Sequence, residues 1–140
     1  MERQEVAFDR AWSLVKMPYH GTSSSAAEKI MQEGLKPMTV PPGSYGKSSF
    51  ATNNLDSALD YAAGKMGHER GAPVVIKVPD GLPFLDFDGV VFEYGEDIPP
   101  EMLEIIYTGR HQEEGEDPID YRTAINQHMD EWMEEYLNDI

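Results

Sequence analysis

The stretch YHGTSSSAAEKIMQEGL, residues 19–35, decides the fold. A short apolar segment at residues 17–20 precedes Gly21, which predicts a strand that ends at a turn. The serines that follow are helix N-cap candidates, and Ser25 has Glu28 three residues later, as in a capping box. Gly34 then stands where a helix C-cap is expected. The stretch therefore predicts a strand followed at once by a capped helix.

Further short elements are predicted on both sides of this stretch. Upstream, apolar residues at helical spacing predict a helix over residues 5–16. Downstream, residues 37–47 are rich in Pro and Gly and predict a loop, and a strand is predicted at residues 48–52. Asn53 or Asn54 is then expected to cap a helix that ends near Lys65, before a polar connection at residues 66–72.

The clearest strand is the apolar run at residues 74–78, because Pro73 and Pro79 bound a β-branched segment. Shorter strands are predicted at residues 82–87, 90–94 and 102–107. A charged linker at residues 109–117 follows. From Tyr121 to Ile140 apolar residues recur every three or four positions, which predicts an amphipathic helix. We expect its apolar face to pack on its own domain or on a second subunit.

These elements predict an α+β fold class in one domain over residues 1–140. The core is expected at about residues 17–108, with an acidic linker and amphipathic helix at about 109–140. The absence of cysteine excludes disulfide frameworks, thiolate nucleophiles and cysteine-based zinc sites. No apolar run approaches the ~20 residues of a membrane-spanning helix, and the N-terminus lacks the apolar core of a secretory signal. A soluble, cytoplasmic protein is the expectation.

The charge is concentrated in the C-terminal part of the chain. The whole sequence has 11 Lys and Arg against 26 Asp and Glu, a formal charge of −15. Residues 88–140 carry 16 of the acidic residues but only two of the basic ones. Such a field repels phosphate backbones, so nucleic acid is not an expected partner. Basic protein surfaces are favoured instead, although solubility alone would also explain the charge.

Few chemistry-bearing patterns are present. Common nucleotide-binding and metal-binding motifs are missing. Two histidines have acidic neighbours, at His68 and His111, but such surface clusters are usually solvated, so no metal site is predicted. His20 is different, because it stands at a strand end beside Gly21, where its ring can bond a ligand hydroxyl. Gly21 itself is expected to let a ligand approach the backbone closely.

A second feature lies on the predicted helix after Asn54. Ser57 and Tyr61 are four residues apart and therefore share one helix face. An aromatic ring beside a hydroxyl can stack on a flat heterocycle and hydrogen-bond its amide. Ordinary packing would explain His20 or Tyr61 taken alone, and it is their combination that favours a ligand site.

Three ordered motifs are similar to those of poly(ADP-ribose) polymerase catalytic domains, in the ADP-ribosyltransferase superfamily. His20-Gly21-Thr22 resembles the His-Gly-Ser/Thr motif, and the helix that follows ends in Gly34-Leu35-Lys36 at the expected separation. The segment GKSSFA at residues 46–51 resembles Gly-Lys-Gly-Ile-Tyr-Phe-Ala, one residue short. The segment LDSALDYA at residues 55–62 resembles the Ser-Lys-Ser-Ala-Asn-Tyr-Cys helix, with Ser57 and Tyr61 in register. The resemblance spans about residues 20–107.

The resemblance implies a split mixed β-sheet with flanking helices, and NAD⁺ as co-substrate. Gly21 would hold the nicotinamide carboxamide through its backbone, Ser57 would bond the same amide, and Tyr61 would stack on the ring. His20 and Thr22 would bond the adenosine ribose. Lys36 would lie near the adenine-side phosphate, and the loop at residues 37–46 would cover the cofactor. Ser49 replaces the tyrosine that the polymerases have before their Phe-Ala pair.

The resemblance also implies a catalytic glutamate, on a strand shortly before Ile98-Pro99-Pro100. Glu93 is the first candidate, about one residue out of register, and Glu96 and Glu101 are the alternatives. Glu93 could instead lie on an edge strand and face solvent. His20 would assist as the second catalytic residue.

Two functional hypotheses follow from the resemblance and the charge. The first is a mono-ADP-ribosyltransferase that moves ADP-ribose from NAD⁺ to a protein acceptor with a basic surface. The alternative is an inactive module of the same fold that binds or inhibits a basic protein through its acidic segment. Elongation of a poly(ADP-ribose) chain is not expected in so small and acidic a domain. RNA 2′-phosphotransfer is also disfavoured, because that related branch needs a positively charged pocket and only Lys36 and Lys47 are near the site.

Overall fold

The computed structural model describes residues 12–14, 18–36, 38–39, 47–65, 71–86, 91–94 and 96–139. It has an α+β fold. The strands are β1 (Trp12–Leu14), β2 (Tyr19–Ser23), β3 (Met38–Thr39), β4 (Lys47–Thr52), β5 (Pro73–Lys77), β6 (Pro83–Asp86), β7 (Val91–Tyr94) and β8 (Glu104–Thr108). The helices are α1 (Ser24–Glu33), α2 (Leu55–Lys65) and α3 (Pro118–Asp139), and a 3₁₀ turn spans Pro100–Met102.

The strands follow the order β1-β6-β7-β4-β2-β5-β8, and β3 pairs with β4. Every pairing between the described strands is antiparallel, so among them the expected mixed sheet is not found. The reason is the position of β2, which lies between β4 and β5 and runs against both. The strands β4 and β5 share a direction but do not touch along their edges.

Strand β5 is buried on both faces of the sheet. Its alternate residues Val74 and Ile76 pack with Ala27 of α1, together with Leu35 and Ile98. Val75, between them, packs on the other face with residues of α2 and α3. A continuous β-branched run is what a strand buried on both faces requires. The sheet is therefore the middle layer, with α1 on one side and α2 and α3 on the other.

Helix α1 is capped at both ends by residues of the deciding stretch. The N-cap is Ser23, whose Oγ accepts from the Ala26 amide at 3.2 Å, so it precedes the Ser25 capping box expected from the sequence. The predicted C-cap Gly34 is confirmed, with φ of 95° and its N–H donating to Ile30 O at 2.7 Å. A β-carbon on Gly34 would lie 2.5 Å from Ile98 O, so only glycine fits without a shift.

The predicted C-terminal helix is confirmed, and its apolar face packs on the same chain. Ile125 and Met129 are buried against Leu59 of α2. Trp132 lies over Tyr107 of β8, with 4.8 Å between ring centroids. The Tyr107 hydroxyl contacts His128 Nδ1 at 2.7 Å, and burial raises the pKa of Tyr107 to about 12. No helix in the described ranges is both long and apolar enough to cross a membrane.

Two sequence-based elements are wrong. Trp12–Leu14 form a strand paired with β6, where a helix over residues 5–16 was expected; the rest of that helix lies outside the described residues. A segment of three residues is compatible with both the helical and the strand periodicity, and its pairing with β6 makes it a strand. The strand β2 also continues through Gly21 to Ser23, because Gly21 pairs with Val75 and the expected turn does not form. The predicted strands at 48–52, 74–78, 82–87 and 90–94 are confirmed within a few residues.

The segment at residues 109–117 is a folded clasp rather than a simple charged linker. Arg110 binds both carboxylate oxygens of Glu116, at 2.8 and 2.6 Å, and lies 5.1 Å from the centre of the Tyr121 ring. The Tyr121 hydroxyl donates to Arg110 O at 2.7 Å. Asp117 then caps α3 by accepting from the amides of Ile119 and Asp120. The clasp thereby fixes where α3 begins.

The clasp should make stability depend on pH through Glu116. The Arg110 guanidinium lowers the pKa of Glu116 from 4.5 to about 2, with help from the Glu113 amide. Because the folded-state pKa is depressed, the stabilisation is present above the unfolded-state pKa and is lost as pH falls toward 2. We expect wild type to exceed Glu116→Gln in urea stability at about pH 6, with the gap narrowing at about pH 3. A gap that is constant with pH would contradict this role.

Candidate functional site

Gly21 is the point where the sheet and helix α2 come closest. A β-carbon at this position would lie 2.1 Å from Ala58 O and 3.1 Å from the amide nitrogen of Ala62. Ala58 and Ala62 are fully buried small residues, one helical turn apart. Gly21 therefore admits the backbone of α2 on this face, where the sequence had suggested a ligand. Only the main-chain N–H and C=O of Gly21, at the edge of the strand, remain for contact with a ligand.

The hydrogen-bond pattern of β2 shows which edge those groups face. Just before the strand, Pro18 O accepts from the Val78 amide at 2.9 Å; just after it, the Ser24 amide donates to Ala72 O at 2.8 Å. In an antiparallel ladder, every second residue points its N–H and C=O at the same neighbour. The even-numbered residues of β2 therefore bond β5. Gly21 directs its N–H and C=O to the opposite edge, toward β4.

On that edge, β2 and β4 separate. The only residue pair between the two strands is Tyr19 with Thr52, at the base of the edge, among the residues that the structure describes. Gly21, two residues further along, has no paired residue on β4. Among the described residues no β4 residue pairs with Gly21, so the main-chain N–H and C=O of this buried glycine point toward a gap in the β2–β4 pairing. A donor and an acceptor side by side are the complement of a carboxamide.

Ser57 and Tyr61 lie on helix α2, which packs on β2 at Gly21. Each precedes one of the alanines that touch Gly21, so the two occupy the adjoining helix face, as predicted from their spacing. Ser57 is half-buried, whereas Tyr61 is 61% exposed despite its large ring. The structure therefore places Ser57 and Tyr61 on the helix that packs on Gly21. An exposed tyrosine beside a buried polar edge is suited to stacking on a planar ligand.

His20 and Thr22 lie on the other face of β2. They pair with Ile76 and Val74, which belong to the core on the α1 side. Thr22 is buried at 4% exposure, and His20 is half-buried. The two predicted groups, His20 with Thr22 and Ser57 with Tyr61, therefore belong to opposite sides of the sheet.

The remaining predicted binding residues are more distant in the topology. Lys36 is exposed and follows Leu35, whose backbone exchanges two hydrogen bonds of 2.9 Å with Ile98 on the α1 side. Ser49 lies on β4 and pairs with Tyr94. Of the predicted covering loop at residues 37–46, the structure describes only β3; the other positions lie outside the described residues.

The three candidate glutamates occupy different positions. Glu93 pairs with Phe50 on one side and Leu85 on the other, so it lies on an interior strand, and the edge-strand alternative is wrong. Glu96 is exposed beside Tyr94, whose pKa is raised by burial and by this carboxylate. Glu101 is exposed in the 3₁₀ turn, on the α1 side. Glu93 alone of the three belongs to a strand paired with β4.

Sequence reasoning did not assign a role to Thr52, Ala58 or Ala62. Thr52 forms the single pair between β2 and β4, and the alanines receive Gly21. The available signal was the pair of alanines one helical turn apart, since small residues at that spacing let a helix approach a strand. His68 lies outside the described residues, and His111 is exposed. The described ranges hold no group of three or more potential metal ligands.

Comparison with known proteins gives no assignment. No protein-family model matches the sequence, and no curated protein is significantly similar to it.

The contact between Gly21 and α2 can be tested by adding one methyl group. Gly21→Ala should destabilise the protein by about 1–3 kcal/mol, because the helix must move away from the strand. Gly64→Ala is the control: Gly64 lies on α2, the helix that contacts Gly21, but it is exposed and has open space around it. That variant should gain up to about 1 kcal/mol. Urea denaturation measures both, and equal stability of the two variants would contradict the contact.

Proposed function

We propose that this chain binds NAD⁺ and transfers its ADP-ribose to a protein acceptor, releasing nicotinamide. The observation that carries the proposal is the unpaired edge of β2 at Gly21, bordered by Ser57 and the exposed ring of Tyr61. The resemblance of the three sequence motifs points to the same residues. Geometry and sequence thus support one ligand, a planar heterocycle that bears a carboxamide.

The nicotinamide end fits the polar groups at this edge. Its carboxamide offers N–H donors and a carbonyl acceptor, which complement the C=O and N–H of Gly21. The Ser57 hydroxyl serves as a third partner, and the Tyr61 ring stacks on the pyridinium. Because Gly21 is buried, these hydrogen bonds form away from bulk water, where they are stronger.

The rest of NAD⁺ would extend around the edge of β2. In this proposal His20 and Thr22 bond the adenosine ribose from the α1 side, and Lys36 offers a positive charge to the adenine-side phosphate. Ser49 on β4 would border the gap opposite Gly21. These roles rest on the motif resemblance.

The proposed chemistry is substitution at the ribose carbon that bears nicotinamide. The bond between that carbon and the pyridinium nitrogen breaks, and its electron pair leaves with nicotinamide, which becomes neutral. The ribose acquires oxocarbenium character, and a lone pair from the acceptor protein attacks the same carbon and loses a proton. Glu93 is the proposed carboxylate that stabilises this charge and orients the acceptor. Glu96 and Glu101 are the alternatives.

Calorimetric titration with NAD⁺ tests the donor site. We expect saturable binding that Tyr61→Ala weakens at least about tenfold, since stacking and part of the pocket wall are lost. Leu137→Ala is the control, because Leu137 is a similarly exposed apolar residue of α3. Glu93→Gln should bind NAD⁺ like wild type but fail to label acceptor proteins with ADP-ribose. Wild type that shows no heat with millimolar NAD⁺ would contradict the proposal.

A second candidate function is docking of a basic protein by α3, with or without transfer. Its outer face carries Asp130, Glu131, Glu134 and Glu135, all exposed. The two cations of residues 88–140 do not neutralise this face, because both have structural roles. Arg110 binds Glu116, and Arg122 donates to Ala63 O of α2 at 3.1 Å. Neither Arg110 nor Arg122 thus offsets the negative charge of this face, which suits either an acceptor or a regulated partner.

Reversing charges on this face tests the docking function. Glu131→Lys with Glu135→Lys should weaken capture of a basic partner, and raised salt should do the same to wild type. The double variant should keep the wild-type affinity for NAD⁺, because Glu131 and Glu135 are exposed and are not among the residues proposed to bind it. Binding of the partner that survives both changes would exclude electrostatic docking by α3.

A further inference from the structure

We infer that Thr52 and Asn54 are positioning residues, which hold Ser57 in place against the open edge of β2. This inference rests on the proposed binding of NAD⁺ at that edge. It gives the turn between β4 and α2 a role in ligand affinity. Neither the sequence motifs nor the predicted helix cap at Asn53 or Asn54 implies this role.

The turn begins at the one place where β2 and β4 meet. Thr52 pairs with Tyr19 across the strands and is buried at 8% exposure. Its Oγ1 accepts the Asn54 amide at 3.1 Å. The position of Asn54 is therefore set by a side chain anchored at the base of the gap.

Asn54 in turn fixes the first turn of α2. Its Oδ1 accepts from the Ser57 amide at 3.1 Å, and its carbonyl accepts from the Ala58 amide at the same distance. Ser57 occupies the third helical position, where an N-cap side chain bonds the backbone. One residue thus holds the Ser57 backbone and the residue whose carbonyl faces Gly21.

Strand β2 and helix α2, the two sides of the proposed site, are therefore connected by a continuous series of contacts. It runs from Tyr19 through Thr52 and Asn54 to Ser57, over a single strand pair and two side-chain hydrogen bonds. Loss of the Asn54 side chain frees the first turn of α2 to shift, while Tyr61, one turn further, stays packed through its neighbouring alanine. The hydroxyl of Ser57 then leaves its place beside the carboxamide.

The test compares two helix caps of the same kind. Asn54→Ala removes the cap of α2, and Asp117→Ala removes the cap of α3, a helix without proposed ligand contacts. Both should lower the melting temperature by similar amounts. Only Asn54→Ala should weaken NAD⁺ binding, by about fivefold in a calorimetric titration at 10 °C with all variants folded. Asn54→Ser keeps a capping oxygen and should restore affinity, and Thr52→Val should weaken it.

The possible results distinguish failure of the positioning role from failure of the proposed NAD⁺ binding. Wild type that does not bind NAD⁺ overturns both. Wild type that binds, with Asn54→Ala equal to it in affinity, overturns the positioning role alone and leaves the proposed function standing. An equal loss of affinity in Asn54→Ala and Asp117→Ala also overturns it, because general destabilisation would then be the cause. Loss in Asn54→Ala alone with recovery in Asn54→Ser supports it.

Discussion

The close approach of helix α2 to strand β2 is the constraint on which the rest of the structure depends. It requires glycine at position 21, because any β-carbon there would collide with the carbonyl of Ala58. It also requires small side chains on the facing helix, at Ala58 and Ala62. Because the helix lies so close to the sheet, its Leu59 and Ala63 pack in the buried cluster that also contains Ile125 and Met129 of α3. The glycine at position 21 thus determines how closely α2 packs on this face of the sheet.

The same arrangement creates the candidate site. The strand β2 is paired with β5 along its whole length, whereas among the described residues its pairing with β4 is confined to Tyr19 and Thr52. Beyond that pair the main chain of Gly21 points toward the gap in the pairing, and α2, which carries Ser57 and Tyr61, packs on Gly21. In the proposed function a ligand reaches the main-chain donor and acceptor of Gly21 through this gap in the pairing. The proposed function rests on this access.

Much of this could be predicted from the sequence, and the failures have physical causes. The run at 74–78 and the amphipathic pattern after Tyr121 are strong local signals, and both were correct. The motif residues Gly21, Ser57 and Tyr61 were predicted to act together, and the structure places the last two on the helix that packs on Gly21, while their joint role stays a prediction. Trp12–Leu14 were mistaken for a helix because their partner, β6, lies about 70 residues away. The role of Gly21 in packing was also hidden, since the contact with Ala58 is not local.

The most direct test of the account is the response of the Gly21 amide to a small ligand. In the ¹⁵N-labelled protein, nicotinamide should shift the Gly21 amide resonance in a saturable way, together with that of Ser57. Nicotinic acid should not, because its carboxylate has no N–H to donate to the Gly21 carbonyl and carries a charge into a buried site. A Gly21 resonance that stays unmoved by saturating nicotinamide, or that responds equally to both compounds, would contradict recognition of a carboxamide at this edge.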